Sequence, residues 1–458
     1  TFKGKLRVVA SQSVGEKAST ILLENIPKEN QYDDGVDTFI TGEDPNNYIW
    51  YSGKLWRAVS VNNEAKTVKL VTQWNISLIS YDDDSSAFEG SYMESWLNDT
   101  SVDGFLGNLR DYENFIVTDA RWNATLDATD LGNITRPSDD GTIVTDAVGL
   151  LNTYEYQTSY KGTDFSNGYL NNGHNWWTLT PYSASYVHGV GLSGIAFTSS
   201  SSYVYAVRPT INIKSSIKIV DGNGTETNPY RLAGDNDSNL RGTLLNTRYS
   251  GEYIRFGNDE NNLYQIVSHE TEGLTKITSA EPLKNSGEFI ISAFDSNSSV
   301  NYSSTNTIGT FLNGEYLTSY VDSAYSNMIE ENTTWYLGTV RSGASYKLAK
   351  YIDTSMSGYA TSAESKVGLL RLGELMSGQF ERYMLKGGNF STGLTTTYWT
   401  LTSRTSLDIW CVYRDSNIVD LLPTATIPSV RPSMNLKSNV LITGGDGTKE
   451  NPFEIELK

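Results

Sequence analysis

Three histidines, one cysteine and two acidic runs are the places where this chain could carry metal or nucleophilic chemistry. A zinc site needs His, Cys or carboxylate side chains converging at short spacings. His174, His188 and His269 lie far apart, and His269-Glu270 lacks the second histidine that a metalloprotease helix places four residues on. Cys411 is alone, so it can form neither an intrachain disulfide nor a paired-cysteine site. No nucleophile-elbow motif supports a Ser-His-Asp arrangement. "GVGLSG" (189–194) fits the dinucleotide fingerprint in letters, but "IAFTSSSS" follows it where a helix should begin. "YDDDSS" (81–86) and "DNDSN" (235–239) offer oxygens to Ca2+ without the glycine of an EF-hand loop. They read as solvated acidic loops. The expectation is a chain with no catalytic residue, no metal site and no cofactor, Ca2+ being the single ion these loops would suit.

Composition narrows the partners. The formal charge is −18, which repels a phosphate backbone and an anionic bilayer. Nucleic acid is therefore excluded as a partner. No apolar run reaches the roughly 18 residues that cross a bilayer. Low cysteine use and an acidic surface rich in Asn, Ser, Thr, Tyr and Gly fit export, and the expected location is the extracellular cell surface. The first residue is Thr1, which suits a processed product preceded by a signal or anchor.

The elements that must position any site come from a long internal repeat. "WWTLTPYS" (176–183) is echoed by "YWTLTSRT" (398–405), and Val207-Arg208-Pro209 by Val430-Arg431-Pro432. "NIKSSIKIVDGNGTETNPY" (212–230) matches "NLKSNVLITGGDGTKENPF" (435–453), and "VGLL" recurs at 148–151 and 367–370. The matches keep their order, so the chain divides into homologous units at 48–232 and 251–458, joined by a polar linker at 233–250. Residues 1–47 stand outside the repeat. Within them "TFKGKLRVVA" (1–10) alternates like a strand and 16–26 suits a short helix. This segment is expected to lie near an anchor, or to add residues 1–12 as a strand to a neighbouring subunit.

Alternating strands around turns, one helical stretch per unit (Met93, Trp96 and Leu97; Ile308, Phe311, Leu312 and Tyr316) and a closing "DGNGT" or "GDGT" hairpin indicate an α+β class. Trp177 and Trp399 are expected to anchor the two cores. Arg208 and Arg431 each precede a proline; they are expected to clamp a Trp face or a carboxylate, with Glu155 and Glu374 as candidate partners. Between Trp and Arg the two units differ throughout. Residues 181–206 are rich in Tyr, Ser and Gly, while 403–429 carry larger aromatic and charged residues. Such compositions suit binding loops. The candidate ligand-binding residues are Tyr186, His188, Tyr203 and Tyr205 in the first, and Asp408, Trp410, Tyr413, Arg414 and Asp415 in the second.

"DPNNYIWYSGKLWRAVSV", "NTTWYLG" (332–338), "VGLL", "WTLT" and the "VRP…GDGT..NP" ending together carry a resemblance. They resemble tandem surface-protein domains of Gram-positive gut bacteria, described as prepilin-type or of unknown function. The Trp-to-VRP ending also resembles the C-type-lectin-like fold, in the branch of formylglycine-generating enzymes and retroelement-diversified binding proteins. The resemblance implies two C-type-lectin-like domains in tandem after an N-terminal extended and helical segment. It brings neither the Glu-Pro-Asn and Trp-Asn-Asp calcium–sugar motifs nor a copper-binding cysteine pair. The function it implies is non-enzymatic adhesion or recognition of a protein or glycan through the loops after Trp177 and Trp399. The rival is a subunit of a pilus or other filament, with a degenerate enzyme placed last.

Overall fold

The computed structural model describes residues 15–101, 104–129, 135–160, 167–235, 240–269, 271–339, 362–376, 396–412 and 418–458. Strands dominate and helices are few and short. In the first half, strands Tyr48–Tyr51, Lys54–Asn62, Val68–Thr72, Thr210–Ile213 and Val148–Gly149 lie side by side in that order within a ten-stranded sheet. In the second half, strands Tyr253–Arg255, Leu263–Ser268, Thr275–Ser279, Ser433–Leu436 and Val367–Gly368 follow the same order. Both central pairings slip by one residue at the same point, between Ala58 and Ser60 and between Ile266 and Ser268. Such a bulge sharpens strand twist, and here it occurs at matching positions in the two sheets.

One face of the first sheet is apolar throughout. Ala58, Val61, Val68, Leu70, Ile211 and Ile213 enter one buried cluster with Trp96, Trp122 and Trp177. One helix against each core is started by local chemistry. Ser91 caps Tyr92–Leu97 by accepting from Glu94 N at 3.1 Å, and Asn306 caps Thr307–Leu312 through Gly309 N at 2.9 Å. Gly314 follows that second helix, and Tyr316 lies in a separate short one, Glu315–Ser319.

The closing turns need glycine. Gly222, Gly224, Gly445 and Gly447 all have positive φ, and a Cβ on Gly224 or Gly447 would strike the ring of Tyr230 or Phe453.

The N-terminal segment, where described, folds onto its own chain. Helix Ala18–Asn25 sits where a helix is expected, Glu16–Lys17 pairs with Lys218–Asp221, and Asp37–Ile40 pairs with Lys54–Asn62. Residues 1–12 lie outside the described residues. The expected linker is more than a tether. Asp235, Leu240, Leu245 and Arg248 are buried, and Leu240 and Leu245 join the second core.

Candidate functional site

The repeated Trp-Thr-Leu-Thr phrase is explained by a bulge that every residue helps to hold. Three residues, 178–180, oppose the single residue His188, since the flanking pairs are Trp177 with Gly189 and Pro181 with Val187. In the second half 400–402 oppose Trp410, between the pairs Trp399–Cys411 and Ser403–Ile409. Thr178 Oγ1 donates to His188 O at 2.8 Å, and Thr400 Oγ1 to Trp410 O at 2.7 Å. Leu179 N and Leu401 N donate to Leu151 O and Leu370 O, each at 2.8 Å. Thr180 Oγ1 accepts Thr153 N at 3.1 Å and Thr402 Oγ1 accepts Leu372 N at 3.0 Å, tying the strand to a helix N-terminus. Trp177 and Trp399 are buried and donate their indole N–H to Ile79 O (3.0 Å) and Ser292 O (2.8 Å). A strand interrupted by three residues leaves backbone groups that must be paired. A hydroxyl on a β-branched side chain does this without leaving the strand conformation.

The expected Arg–Glu pairs do not form. Arg208 takes the other expected place, over a Trp face, 5.0 Å from the ring centre of Trp176, and donates to the carbonyls of Thr72, Gln73 and Leu170. Arg431 lies 5.3 Å from the Tyr398 ring centre and donates to Ser279 O and Ala280 O. Carbonyls converge on each guanidinium because the proline after it ends a ladder there. Glu155 and Glu374 instead face lysines: Lys69 pairs with Glu155, and Lys276 with Glu374 at 2.5 Å. Each ammonium lies 5.0 Å from an indole centre, Trp122 or Trp335. Gly149 and Gly368 are the close-approach points under those indoles, where a Cβ would come within 2.4 Å and 2.6 Å. The glutamates also accept a backbone N–H, Asn152 N at 3.0 Å and Arg371 N at 2.9 Å. Burial alone would raise the Glu374 carboxyl, but Lys276 and then Arg371 hold it below the usual range.

These lysines belong to a repeated polar row. Ser60, Lys69 and Asn212 are direct partners across three strands, and so are Ser268, Lys276 and Asn435. In the second half the row is sealed, with Ser268 Oγ and Asn435 Nδ2 buried and lacking a hydrogen bond among the described residues. In the first half it floors a cleft of about 580 Å³. The N-terminal Asp37–Ile40 strand and Arg136 form one wall. Arg136 bonds Asp34 at 2.6 Å and Asp37 at 2.7 Å, and Tyr154 donates to Asp34 at 2.8 Å. Burial would raise Asp34, but the N–H groups of Asp37 and Val36, then Tyr154 and Arg136, hold it lowered. Lys69 and Arg136 escaped the sequence reading, though "VKLVT" and "TKITS" place a lysine at the same point in both repeats.

Among the candidate binding residues, Tyr186 and Tyr203 are exposed, at 45% and 62%. His188 is buried: its Nε2 lies 2.8 Å from Asp127 O and its ring packs edge-on against Tyr182. Tyr205 is half-buried between Trp177 and Phe197. Trp410 is buried with the Arg404 guanidinium 5.7 Å from its ring centre. These three pack against their own chain, so they serve packing and not a binding face. Asp408 is half-buried and receives the Thr405 hydroxyl at 2.7 Å. Tyr413, Arg414 and Asp415 lie outside the described residues. Cys411 is buried, and burial pushes its thiol well up, which makes it unreactive.

Asp82 and Asp83 are engaged locally, by the N–H of Asp83 and by the Tyr92 hydroxyl. Among the described residues no group of three or more His, Cys, Asp or Glu side chains is placed to hold a metal ion. Nor is any described helix long and apolar enough to cross a membrane. No family model, curated protein or solved structure matches the chain.

Proposed function

We propose that this is a non-enzymatic recognition protein of the bacterial cell surface, built from two copies of one C-type-lectin-like unit and binding through the Trp-to-Arg inserts. The observation that carries the reading is where apolar side chains meet water. Thirteen large hydrophobic residues are exposed among those described, and seven lie on the two inserts: Tyr186, Leu192, Ile195 and Tyr203 on the first, Leu407, Leu422 and Ile427 on the second. Clustered exposed apolar residues mark interaction surfaces. Four of them fall at matching ends. Tyr186 and Tyr203 flank the end of the Tyr186–Val190 and Ala196–Ser200 hairpin, where Ser201 N bonds Ser185 O. Leu407 and Leu422 flank the corresponding end of Ile409–Val412 and Ile418–Leu421. Arg404 braces that end through Asp420 at 2.7 Å.

The common strand order and the duplicated bonds of the Trp-Thr-Leu-Thr bulge support two copies of one unit. The inner charged groups of the cleft are already paired, Lys69 with Glu155 and Arg136 with Asp34 and Asp37, so none of these carboxylates is a free base. This favours binding over catalysis. The filament reading rests on residues 1–12, and no observation on the described residues favours it.

Beads coated with the protein, settled on epithelial-cell and mucin surfaces, test the proposal. Adhesion that falls at least tenfold in a Y186S/Y203S/L407S/L422S variant of unchanged melting temperature supports it. Equal adhesion by both proteins, or none by the wild type, refutes it.

A further inference from the structure

We infer that the cleft over Ser60, Lys69 and Asn212 is a second binding site, distinct from the hairpin ends, and that it takes an uncharged polyhydroxylated ligand: a neutral glycan. Its volume of about 580 Å³ falls in the range of small-ligand sites. The lining excludes the other ligand classes. An apolar ligand would have to strip water from Lys69, Glu155, Arg136 and Asp37, a cost no apolar contact here returns. An anion would find both inner cations already paired, Lys69 with Glu155 and Arg136 with Asp34 and Asp37, and the remaining one, Arg121, exposed to solvent on the rim. A cation would find the inner carboxylates neutralised by those same pairs, and the remaining ones, Glu64, Asp119 and Asp139, exposed to solvent on the rim.

What remains free inside is a set of neutral hydrogen-bonding groups. The Ser60 hydroxyl and the Asn212 amide carry no side-chain bond within the described protein, and the cross-strand register sets them on either side of Lys69. A hydroxyl and an amide both donate and accept. Ion-paired carboxylates keep spare lone pairs, and the paired guanidinium keeps spare N–H groups. A sugar ring presents adjacent hydroxyls with that same dual capacity.

The second half supplies an independent observation. Its row repeats Ser, Lys and Asn in register, and there Ser268 and Asn435 are 1% and 2% exposed with polar atoms unpaired. Leaving such groups unpaired costs about 1–3 kcal/mol each. In the sealed half that cost stands, whereas in the open half the same Ser and Asn side chains line the cleft, where hydroxyls of a ligand can pair them.

The test uses the full chain on an array of neutral, sialylated or sulfated, and amino-sugar oligosaccharides, with binding then measured by calorimetry. Ala65 sits exposed on the cleft rim, so A65W blocks the mouth without entering a core, and N212L removes an inner donor and acceptor. The expected result is binding to neutral saccharides, weakened at least tenfold by each variant at unchanged melting temperature. The Y186S/Y203S variant should bind the sugar as the wild type does, which separates this site from the hairpin ends. Should N212L fail to fold, A65W alone decides. Binding to no neutral saccharide, preference for charged ones, or affinity that survives A65W overturns the inference.

Discussion

Each residue of the repeated phrase holds a bond that the fold would otherwise leave open. Trp177 and Trp399 fill core space and cap a carbonyl, so W177A and W399A should each lower stability by about 3–5 kcal/mol in denaturant titration. Thr178 and Thr400 show the same economy. T178V keeps the strand-favouring shape but leaves His188 O unpaired in a buried bulge, and should cost about 1–3 kcal/mol. A loss below a few tenths would mean the hydroxyl is not what holds the bulge. The phrase was legible as important because it occurs twice. Its bonds were not, since they join strand 176–183 to groups 10 to 98 residues away. The arginines show the opposite error. Arg208 and Glu155 recur together in both repeats, yet so does Lys69, and recurrence cannot say which of two cations a carboxylate meets.

At the scale of elements, one sheet face is apolar core and the other carries the polar row. Period-two alternation makes this visible in Val68-Lys69-Leu70, where the lysine alone breaks the apolar run. What covers that lysine is a matter of the loops, and composition does not reveal it. The difference has an energetic consequence. Lys276 and Glu374 have side chains 3% and 0% exposed, against 15% and 13% for Lys69 and Glu155. Removing one partner of a sealed pair strands the other charge. K276M should therefore cost about 3–5 kcal/mol, K69M clearly less, and K276M/E374L should recover much of the loss. Equal costs for K276M and K69M would contradict the assigned burial. The hairpins were legible as variable-looking inserts, but which of their aromatic residues face out was not. Tyr186 and His188 are two residues apart on one strand, yet one is exposed and the other buried against Tyr182, a difference that alternation does not contain.

Across the whole molecule the two halves bury matching surfaces. One buried cluster contains the equivalent residues Val59 and Val267, Leu151 and Leu370, Trp176 and Tyr398, and Val190 and Val412. A second joins Tyr48, Trp50 and Leu55 to Tyr253, and Lys54 Nζ donates to Ser250 O at 3.2 Å beside it. Halves that share such clusters should melt together, so calorimetry should show one transition with matching calorimetric and van't Hoff enthalpies. Two separated transitions would contradict this.

The junction also sets a pH dependence. Burial, offset by Arg110 and reinforced by Glu252, pushes the Asp235 carboxyl up to about 6, against about 3.9 in an unfolded chain. The folded state then binds the proton more tightly. Its contribution is fully present below about pH 4 and is lost as pH rises through 6. D235N should match the wild type near pH 4 and exceed it near pH 7, by on the order of 2 kcal/mol. A constant difference across that range would show that Asp235 does not titrate there.

The central claim is that a fixed frame presents two unlike inserts to a ligand. Hydrogen exchange of the full chain, with and without mucin or epithelial-cell surface material, tests this contact directly. The account predicts slowed exchange at 184–187, 201–203, 404–408 and 422–427, with the Trp176–Ser183 and Tyr398–Ser403 strands unchanged apart from their insert-proximal ends. Protection confined to other surfaces, with none at the hairpin ends, would contradict it.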